Sequence, residues 1–185
     1  DPVAHEVSNA PADAFLASVA AYCGKAFAGQ VVEDNPASTG PDPFAGKRLV
    51  MHVRGCQDPA HQLRIPFHVG DDHSRTWIIS RTPAGLRLKH DHRHEDGSDD
   101  ALTMYGGESI AAGTAQRQEF PVDAESIAMF RREGLSASVE NTWAMEIQPA
   151  MFAYELTRPN GRRFRVEFDL TTPVELPPAP WGAGG

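Results

Sequence analysis

The stretch MFAYELTRPNGRRFRVEFDL, residues 151–170, decides the fold. Apolar side chains occupy alternate positions on both sides of the turn Pro159-Asn160-Gly161, which is the pattern of two antiparallel strands with one apolar face each. The apolar set consists of Phe152, Tyr154, Leu156, Phe164, Val166, Phe168 and Leu170. The opposite face of the second strand is charged. We therefore predict a hairpin with one face in a core and the other in water.

The same period of two runs through most of the chain. Strands are predicted near residues 26–33, 48–54, 63–69, 76–82, 85–94, 101–105, 115–120, 138–147, 151–157 and 163–170. Helical spacing occurs only from Asp13 through Cys23 and from Ala124 to Glu133, and Asp13 and Asp123 are predicted to cap these two helices. Tyr105-Gly106-Gly107 is interpreted as an ordinary turn. Because so little helix is present to cover the sheet, closure of the sheet on itself is favoured. We predict a mainly β fold: a single antiparallel up-and-down β-barrel of about eight to ten strands, with an N-terminal helix and one short inserted helix.

The predicted organisation is one barrel domain between two loose ends. The domain spans residues 12–174, and a length of 185 residues is ordinary for a single domain. Residues 1–11 lack periodicity and residues 175–185 are rich in proline and glycine, so both segments are expected to be flexible. No apolar run approaches the roughly 20 residues of a membrane-spanning helix, and no membrane insertion is expected.

Charge and cysteine content restrict the partners and the compartment. Acidic residues outnumber basic ones, 25 to 17, which argues against nucleic acid as a partner because that binding needs a basic surface. Cys23 and Cys56 are the only cysteines, and an even pair fits one disulfide better than a metal site. Two separate buried thiols are the alternative. A disulfide indicates an oxidising compartment, so a secreted or periplasmic protein is expected.

The order of elements resembles that of a calycin-like secreted bacterial β-barrel. The calycin group includes lipocalins, fatty-acid-binding proteins and the haem-binding nitrobindin type. The likeness rests on a helix followed by KAFAGQVV, residues 25–32, and on a meander that ends in FRVEF, residues 164–168. The glycine-x-tryptophan signature of lipocalins is absent, since Gly29 is followed by Gln30 and Val31. The resemblance implies an interior cavity for a small apolar ligand, in some members a haem with a histidine ligand. It transfers no site residue.

One predicted strand contains the residues most suited to binding or catalysis. It is GLRLKHDHRHEDG, residues 85–97. Side chains alternate across a strand, so His90, His92 and His94 continue the apolar face of Leu86 and Leu88. The opposite face is charged at every position and is expected to meet water. We therefore predict that the three histidines point into the barrel or into its mouth.

Histidines two positions apart on a strand are candidate metal ligands. They lie roughly 6.7 Å apart along the strand, so His90 with His92, or His92 with His94, could bind one divalent ion such as Zn, Cu or Fe. The candidates for further ligands are a carboxylate, His52, His68 and His73, although alternation places His52 and His68 on outward faces. Two alternatives stay open: histidines that line a polar cavity without a metal, and a solvated hairpin end.

The leading hypothesis is a barrel that binds a small, partly apolar molecule in its interior. The predicted ligand-binding residues are His90, His92, His94, Asn141, Tyr154 and Trp143. The alternative is a metal-dependent hydrolase or lyase that uses the three histidines as ligands, acid or base. Haem is a less favoured cofactor. The sequence predicts neither the identity of the ligand nor the oligomeric state.

Overall fold

The computed structural model describes residues 10–37 and 40–183, and its strands form one antiparallel sheet that curls into a nearly closed barrel. Helix α1 (Ala10–Ala20) precedes the strands, while helix α2 (Ala124–Arg132) and a 3-10 helix (Ser136–Glu140) lie between the seventh and eighth strands. In chain order the strands are β1 (Ala26–Asn35), β2 (Leu49–His52), β3 (Gln62–Val69), β4 (Asp72–Thr82), β5 (Gly85–His92), β6 (Tyr105–Glu108), β7 (Arg117–Pro121), β8 (Thr142–Gln148), β9 (Met151–Thr157) and β10 (Arg163–Asp169). The predicted fold class is confirmed. Of the N-terminal segment expected to be flexible, residues 1–9 lie outside the described residues.

The strand order is β6-β5-β4-β3-β2-β1-β10-β9-β8-β7, so the first and last strands of the chain are neighbours. Strand β1 pairs with β2 on one side and with β10 on the other. The hairpin predicted from residues 151–170 is confirmed, with Phe168 opposite Phe152 and Phe164 opposite Leu156. The pairing of β1 with β10 thus joins the two halves of the sheet, and β6 and β7 are its edge strands.

Large side chains fill most of the barrel interior. The inward positions of the strands carry almost completely buried aromatic residues, which include Phe27, Trp77, Phe120, Trp143, Phe152 and Phe168. Helix α1 lies across one end of the barrel and adds Phe15, Leu16 and Val19 to the same core. Its Asp13 does not cap the helix as predicted, because the helix begins at Ala10 and the carboxylate accepts a hydrogen bond from Arg81 Nε at 2.7 Å. At the opposite end of the barrel the interior opens into a cavity.

The contact between the edge strands β6 and β7, here called the seam, depends on two glycines that were predicted to lie in an ordinary turn. Gly106 and Gly107 belong to β6, and the predicted strand at 101–105 is displaced to Tyr105–Glu108. A Cβ atom at Gly107 would overlap the carbonyl oxygen of Pro121, so only glycine allows this approach. Asp123 N donates to Gly106 O at 3.0 Å, and Gly107 forms an isolated bridge with Val122. These contacts bring the two edges together.

Two smaller elements connect the helices to the barrel. Asp123 caps α2 as predicted, since its Oδ1 accepts a hydrogen bond from Ser126 N at 2.8 Å. The predicted disulfide is confirmed: Cys23 and Cys56 are bonded, with Cα atoms 6.2 Å apart, and they join the segment after α1 to the segment after β2. Residues 138–140, predicted as strand, belong to the 3-10 helix. None of the helices in residues 10–37 and 40–183 has the length and apolar character to cross a membrane.

We expect Gly107→Ala to lower the free energy of unfolding by about 2–4 kcal/mol, because the added methyl group meets a backbone carbonyl that cannot move without opening the seam. Gly40→Ala is the matched control, since nothing lies within 4 Å of a Cβ atom there. Urea unfolding followed by circular dichroism measures both variants. Equal stability of the two would contradict the role assigned to the seam.

Removal of the disulfide is expected to lower the free energy of unfolding by about 3–4 kcal/mol in the chain-entropy model, because the bond closes a loop of 33 residues in the unfolded chain. The double substitution Cys23→Ala with Cys56→Ala, compared with the oxidised protein in urea, measures the loss. A thiol reductant should destabilise only the oxidised protein. A double variant as stable as the wild type would show that the bond does not constrain the barrel.

Candidate functional site

The end of the barrel opposite α1, here called the mouth, contains a cavity of about 190 Å³. Its walls are largely aromatic and include Phe44, Phe67, Trp77, Tyr105, Tyr154 and Phe164. Its polar rim includes Asp34, Asp42, Arg75, Arg162 and His92. The rigid strands supply most of these residues at their ends, and Phe44 comes from the loop between β1 and β2. Apolar walls and a polar rim are the usual composition of a small-molecule site.

His90 lies at the floor of the mouth and is only 7 % exposed. Its Nδ1 lies 3.0 Å from the carbonyl oxygen of Tyr105, and its Nε2 lies 2.7 Å from the hydroxyl of Tyr154. A carbonyl only accepts, so Nδ1 carries the proton and donates it to Tyr105. The Tyr154 hydroxyl consequently donates to the lone pair of Nε2. Both ring nitrogens of His90 are thus occupied by protein groups.

Burial keeps both partners of this pair neutral. It lowers the pKa of His90 to about 4, against the opposing hydrogen bond to Tyr105. Burial also raises the pKa of Tyr154 well above its ordinary value of 10.0, while a hydrogen bond from Trp143 acts in the opposite direction. Their pKa values lie on opposite sides of neutrality, so neither group is suited to exchange protons at physiological pH. The pair supplies fixed hydrogen bonds.

The loop between β1 and β2 covers one side of the mouth. Phe44 stacks on Phe164 with 5.3 Å between ring centroids, and the guanidinium of Arg75 lies 5.6 Å from the centre of the Phe44 ring. Arg162 holds the start of the loop, because it forms an ion pair with Asp34 and donates to the carbonyl oxygen of Pro36 at 2.9 Å. These contacts position an aromatic ring over the cavity.

The structure differs from the prediction of three inward histidines. His92 lines the mouth with a side chain 27 % exposed, but His94 is 57 % exposed and lies beyond the end of β5. The alternation stops there because the chain folds back, with Arg93 bridged to Asp99. The Nδ1 atoms of His92 and His94 lie 3.9 and 3.8 Å from Asp100 Oδ2, which is too far for a hydrogen bond. Only His90 and His92 therefore reach the cavity.

The other predicted ligand-binding residues are divided between two places. Tyr154 lines the mouth, and Trp143 lies behind the floor with its ring centroid 5.1 Å from that of His90. Asn141 does not line the cavity. It is buried at the end of the 3-10 helix, where its Oδ1 accepts a hydrogen bond from Arg158 Nε at 2.7 Å. Its role in the structure is to anchor this turn.

Sequence reasoning missed Phe44, Arg75 and Arg162. Alternation contained a signal for Arg75, because it shares an inward face with Trp77 and lies opposite His92 in the register of β4 and β5. A charged side chain on an otherwise apolar face indicates that the strand has reached water. Phe44 lies in a segment rich in proline and glycine without periodicity, and no local pattern places it over the mouth.

No three His, Cys, Asp or Glu side chains form a group arranged to hold a metal ion within residues 10–37 and 40–183. Comparisons of the chain with protein-family models, with curated proteins and with solved structures find no match. The function of the mouth is therefore inferred from its own geometry.

We expect stability to decrease as the pH falls from 6.5 to 4, because the unfolded chain takes up a proton on His90 over this range and the folded protein does not. The loss from this group is up to about 3 kcal/mol at pH 4. Urea unfolding at several pH values measures it. His90→Gln should reduce the loss, whereas His61→Gln, at an exposed histidine, should leave it unchanged. An identical pH profile for His90→Gln and wild type would contradict the burial of a neutral imidazole.

Proposed function

We propose that the protein binds a small, partly apolar molecule, with one or two aromatic rings, in the mouth of the barrel. The observation that carries this proposal is the convergence of aromatic walls on the neutral pair His90 and Tyr154 at the floor of the cavity. Buried polar groups of fixed geometry orient a ligand, and the surrounding rings supply apolar contact area.

The size of the cavity favours a small ligand. A volume of about 190 Å³ is below the range of roughly 300–1,000 Å³ that is typical for drug-sized molecules. Beneath the floor, buried aromatic side chains such as Phe152 and Phe168 occupy the space that a fatty acid or a haem would need. Haem is also disfavoured because both nitrogens of His90 already have partners.

The rim supports a ligand with a polar or anionic substituent. Arg75 faces the cavity and donates through Nη1 to Asp72 Oδ2 at 2.9 Å, which holds its guanidinium in place. Arg162 lies across the same opening beside Asp34. An aromatic molecule with a carboxylate or hydroxyl group would place its ring between Phe44 and Trp77 and its substituent toward these arginines.

Binding is favoured over catalysis because the floor lacks a group that titrates near neutral pH. The pKa of His90 is lowered to about 4 and that of Tyr154 is raised, so proton transfer between them is strongly uphill. The metal-dependent alternative retains His92 and His94, whose Nδ1 atoms face the same oxygen of Asp100. That alternative stays a prediction, with Zn, Cu or Fe as the candidate ion.

We also propose that the protein is secreted or periplasmic and belongs with the calycin-like barrels. The disulfide between Cys23 and Cys56 supports an oxidising compartment. A nearly closed antiparallel barrel with an N-terminal helix is compatible with the calycin group, and the filled interior would make this chain a member with a shallow site.

The proposal is tested with indole as the probe, by ligand-observed and protein-observed NMR. We expect saturable shifts of mouth residues with a dissociation constant of about 1 mM or tighter. Leu156→Trp should abolish these shifts, because Leu156 lines the cavity and the larger ring fills it. Leu135→Trp is the matched control at an exposed loop position. Absence of saturable binding, or binding that survives Leu156→Trp in a folded variant, would refute the proposal.

A further inference from the structure

A second cavity, here called the outer groove, lies on the outside of the barrel, away from the mouth. Its volume of about 660 Å³ falls within the range of roughly 300–1,000 Å³ that is typical of small-molecule sites. One wall is the loop between β2 and β3, and the other is the end of the C-terminal strap, residues 171–183. The side chains at the groove include Gln57, Arg64, Thr76, Asp91, Arg93 and Trp181.

The floor of the outer groove is polar. Thr76 and Asp91 are paired in the register of β4 and β5, and they alternate with inward core positions, so both side chains point outward. Each residue is nevertheless only 7 % exposed. The strap is fixed beside them, because Trp181 N donates to the carbonyl oxygen of His73 at 2.9 Å. The floor therefore offers polar groups that are sheltered from bulk water, where hydrogen bonds and charge pairs are stronger.

Two guanidinium groups at the floor share one carboxylate. Arg64 Nη2 donates to Asp91 Oδ2 at 3.1 Å, and Arg93 Nε donates to Asp91 Oδ1 at 3.1 Å. Arg93 also donates through Nη1 to the carbonyl oxygen of Gly97 at 3.1 Å. The arginine side chains are partly exposed, 44 % for Arg64 and 35 % for Arg93, so each presents further N–H groups to the groove. The shared carboxylate thus holds two donors in place.

The charge of the outer groove suits an anionic ligand. Its charged side chains are Arg54, Arg64, Arg93, Asp58 and Asp91. Three of these are basic and two are acidic, so the groove has a net positive charge, although the chain as a whole has a formal charge of −8. Asp99 Oδ1 lies 4.0 Å from Arg93 Nε, but its side chain is 68 % exposed and water screens its charge.

The wall opposite the strap is rigid. Gly55 N donates to Arg64 O at 2.9 Å, and Arg64 N donates to Gly55 O at 3.1 Å. Cys56 follows directly, and its disulfide with Cys23 ties the loop to the segment after α1. A site that is held in this way loses little conformational entropy when a ligand binds.

We propose that the outer groove binds a sugar acid, with the carboxylate of the ligand at the guanidinium groups of Arg64 and Arg93. A guanidinium offers planar pairs of N–H groups that match a carboxylate. Gln57 and Thr76 can donate hydrogen bonds to the hydroxyl groups of a pyranose ring and accept hydrogen bonds from them. The indole of Trp181 adds apolar contact area at the strap.

The size of the outer groove favours this ligand over a simple anion. An inorganic anion would fill a small part of 660 Å³ and would leave Gln57 and Trp181 without a contact, whereas a ligand of one or two pyranose rings reaches both walls. Much of the acidic surface repels an anionic sugar, so the local positive charge determines where it binds.

The experiment is a titration of the full chain with digalacturonate at low ionic strength, followed by protein-observed NMR. We expect saturable shifts of groove residues with a dissociation constant of about 1 mM or tighter. Galactobiose, the neutral disaccharide without carboxylates, should bind at least about tenfold more weakly, because it makes no charge-assisted hydrogen bond to the arginines. Absence of saturable binding, equal affinity for galactobiose, or equal affinity for inorganic phosphate would overturn the proposal.

Two variants and two controls test the assignment of residues. Arg93→Gln should weaken digalacturonate binding at least about tenfold. Gln57→Trp gives a second test if the first variant does not fold, because this exposed position lines the groove and the larger ring occupies it. Arg87→Gln is the matched control for charge, since Arg87 lies on the outer face of the same strand and pairs with Glu108. Leu135→Trp is the control for the added ring.

Binding that survives in both folded test variants, or that is lost in either control, would overturn the proposal and place the ligand elsewhere. Indole binding at the mouth is a separate readout, so this proposal and the proposed function fail independently.

Discussion

Closure of the sheet at Gly106 and Gly107 is the constraint on which the rest of the molecule depends. Strands β6 and β7 are the free edges of the sheet, and an open edge exposes unpaired backbone groups that invite aggregation. The glycines allow Asp123 and Val122 to bond to β6, and the same segment begins helix α2. Once the edges meet, each strand has one face that cannot reach water. The apolar residues at alternate positions therefore pack together in the interior of the barrel, and aromatic rings fill much of it.

The position of the mouth follows from this packing. Inward positions along β5 carry Leu86, Leu88 and then His90, so the interior changes from apolar to polar within one strand. The change occurs where the pairing of β5 with β6 ends, at His90 and Tyr105. There the carbonyl oxygen of Tyr105 accepts a hydrogen bond from the histidine. That carbonyl selects the tautomer of His90, and the tautomer in turn directs the hydroxyl of Tyr154. The polarity of the floor is therefore a consequence of where the strands end.

Much of the fold could be predicted from the sequence, because a period of two is a local property that needs no knowledge of distant contacts. The strand positions and the inward direction of His90 belong to this class. The disulfide could be predicted for a different reason, since the chain has two cysteines. The failures are non-local. Nothing near His94 indicates that pairing to β4 stops at His92, and nothing near Gly107 indicates that Pro121 will approach it. The position of Phe44 over the mouth could likewise not be predicted, since this residue lies in a loop without periodicity.

His90 and His68 are both buried histidines, and they differ in a way that burial alone does not explain. Desolvation lowers the pKa of His90 and of His68 to about the same value, so both rings are neutral. His90 has a fixed partner at each nitrogen, which suits a rigid floor beneath a ligand. His68 has one nitrogen paired with the imidazole of His73, and its other nitrogen has no hydrogen-bond partner among residues 10–37 and 40–183. A buried nitrogen without a partner lowers the free energy of unfolding by about 1–3 kcal/mol, whereas the two hydrogen bonds of His90 offset the cost of burying its ring. The number of hydrogen bonds at the ring nitrogens, rather than the burial of the ring, therefore decides whether a buried histidine stabilises the fold.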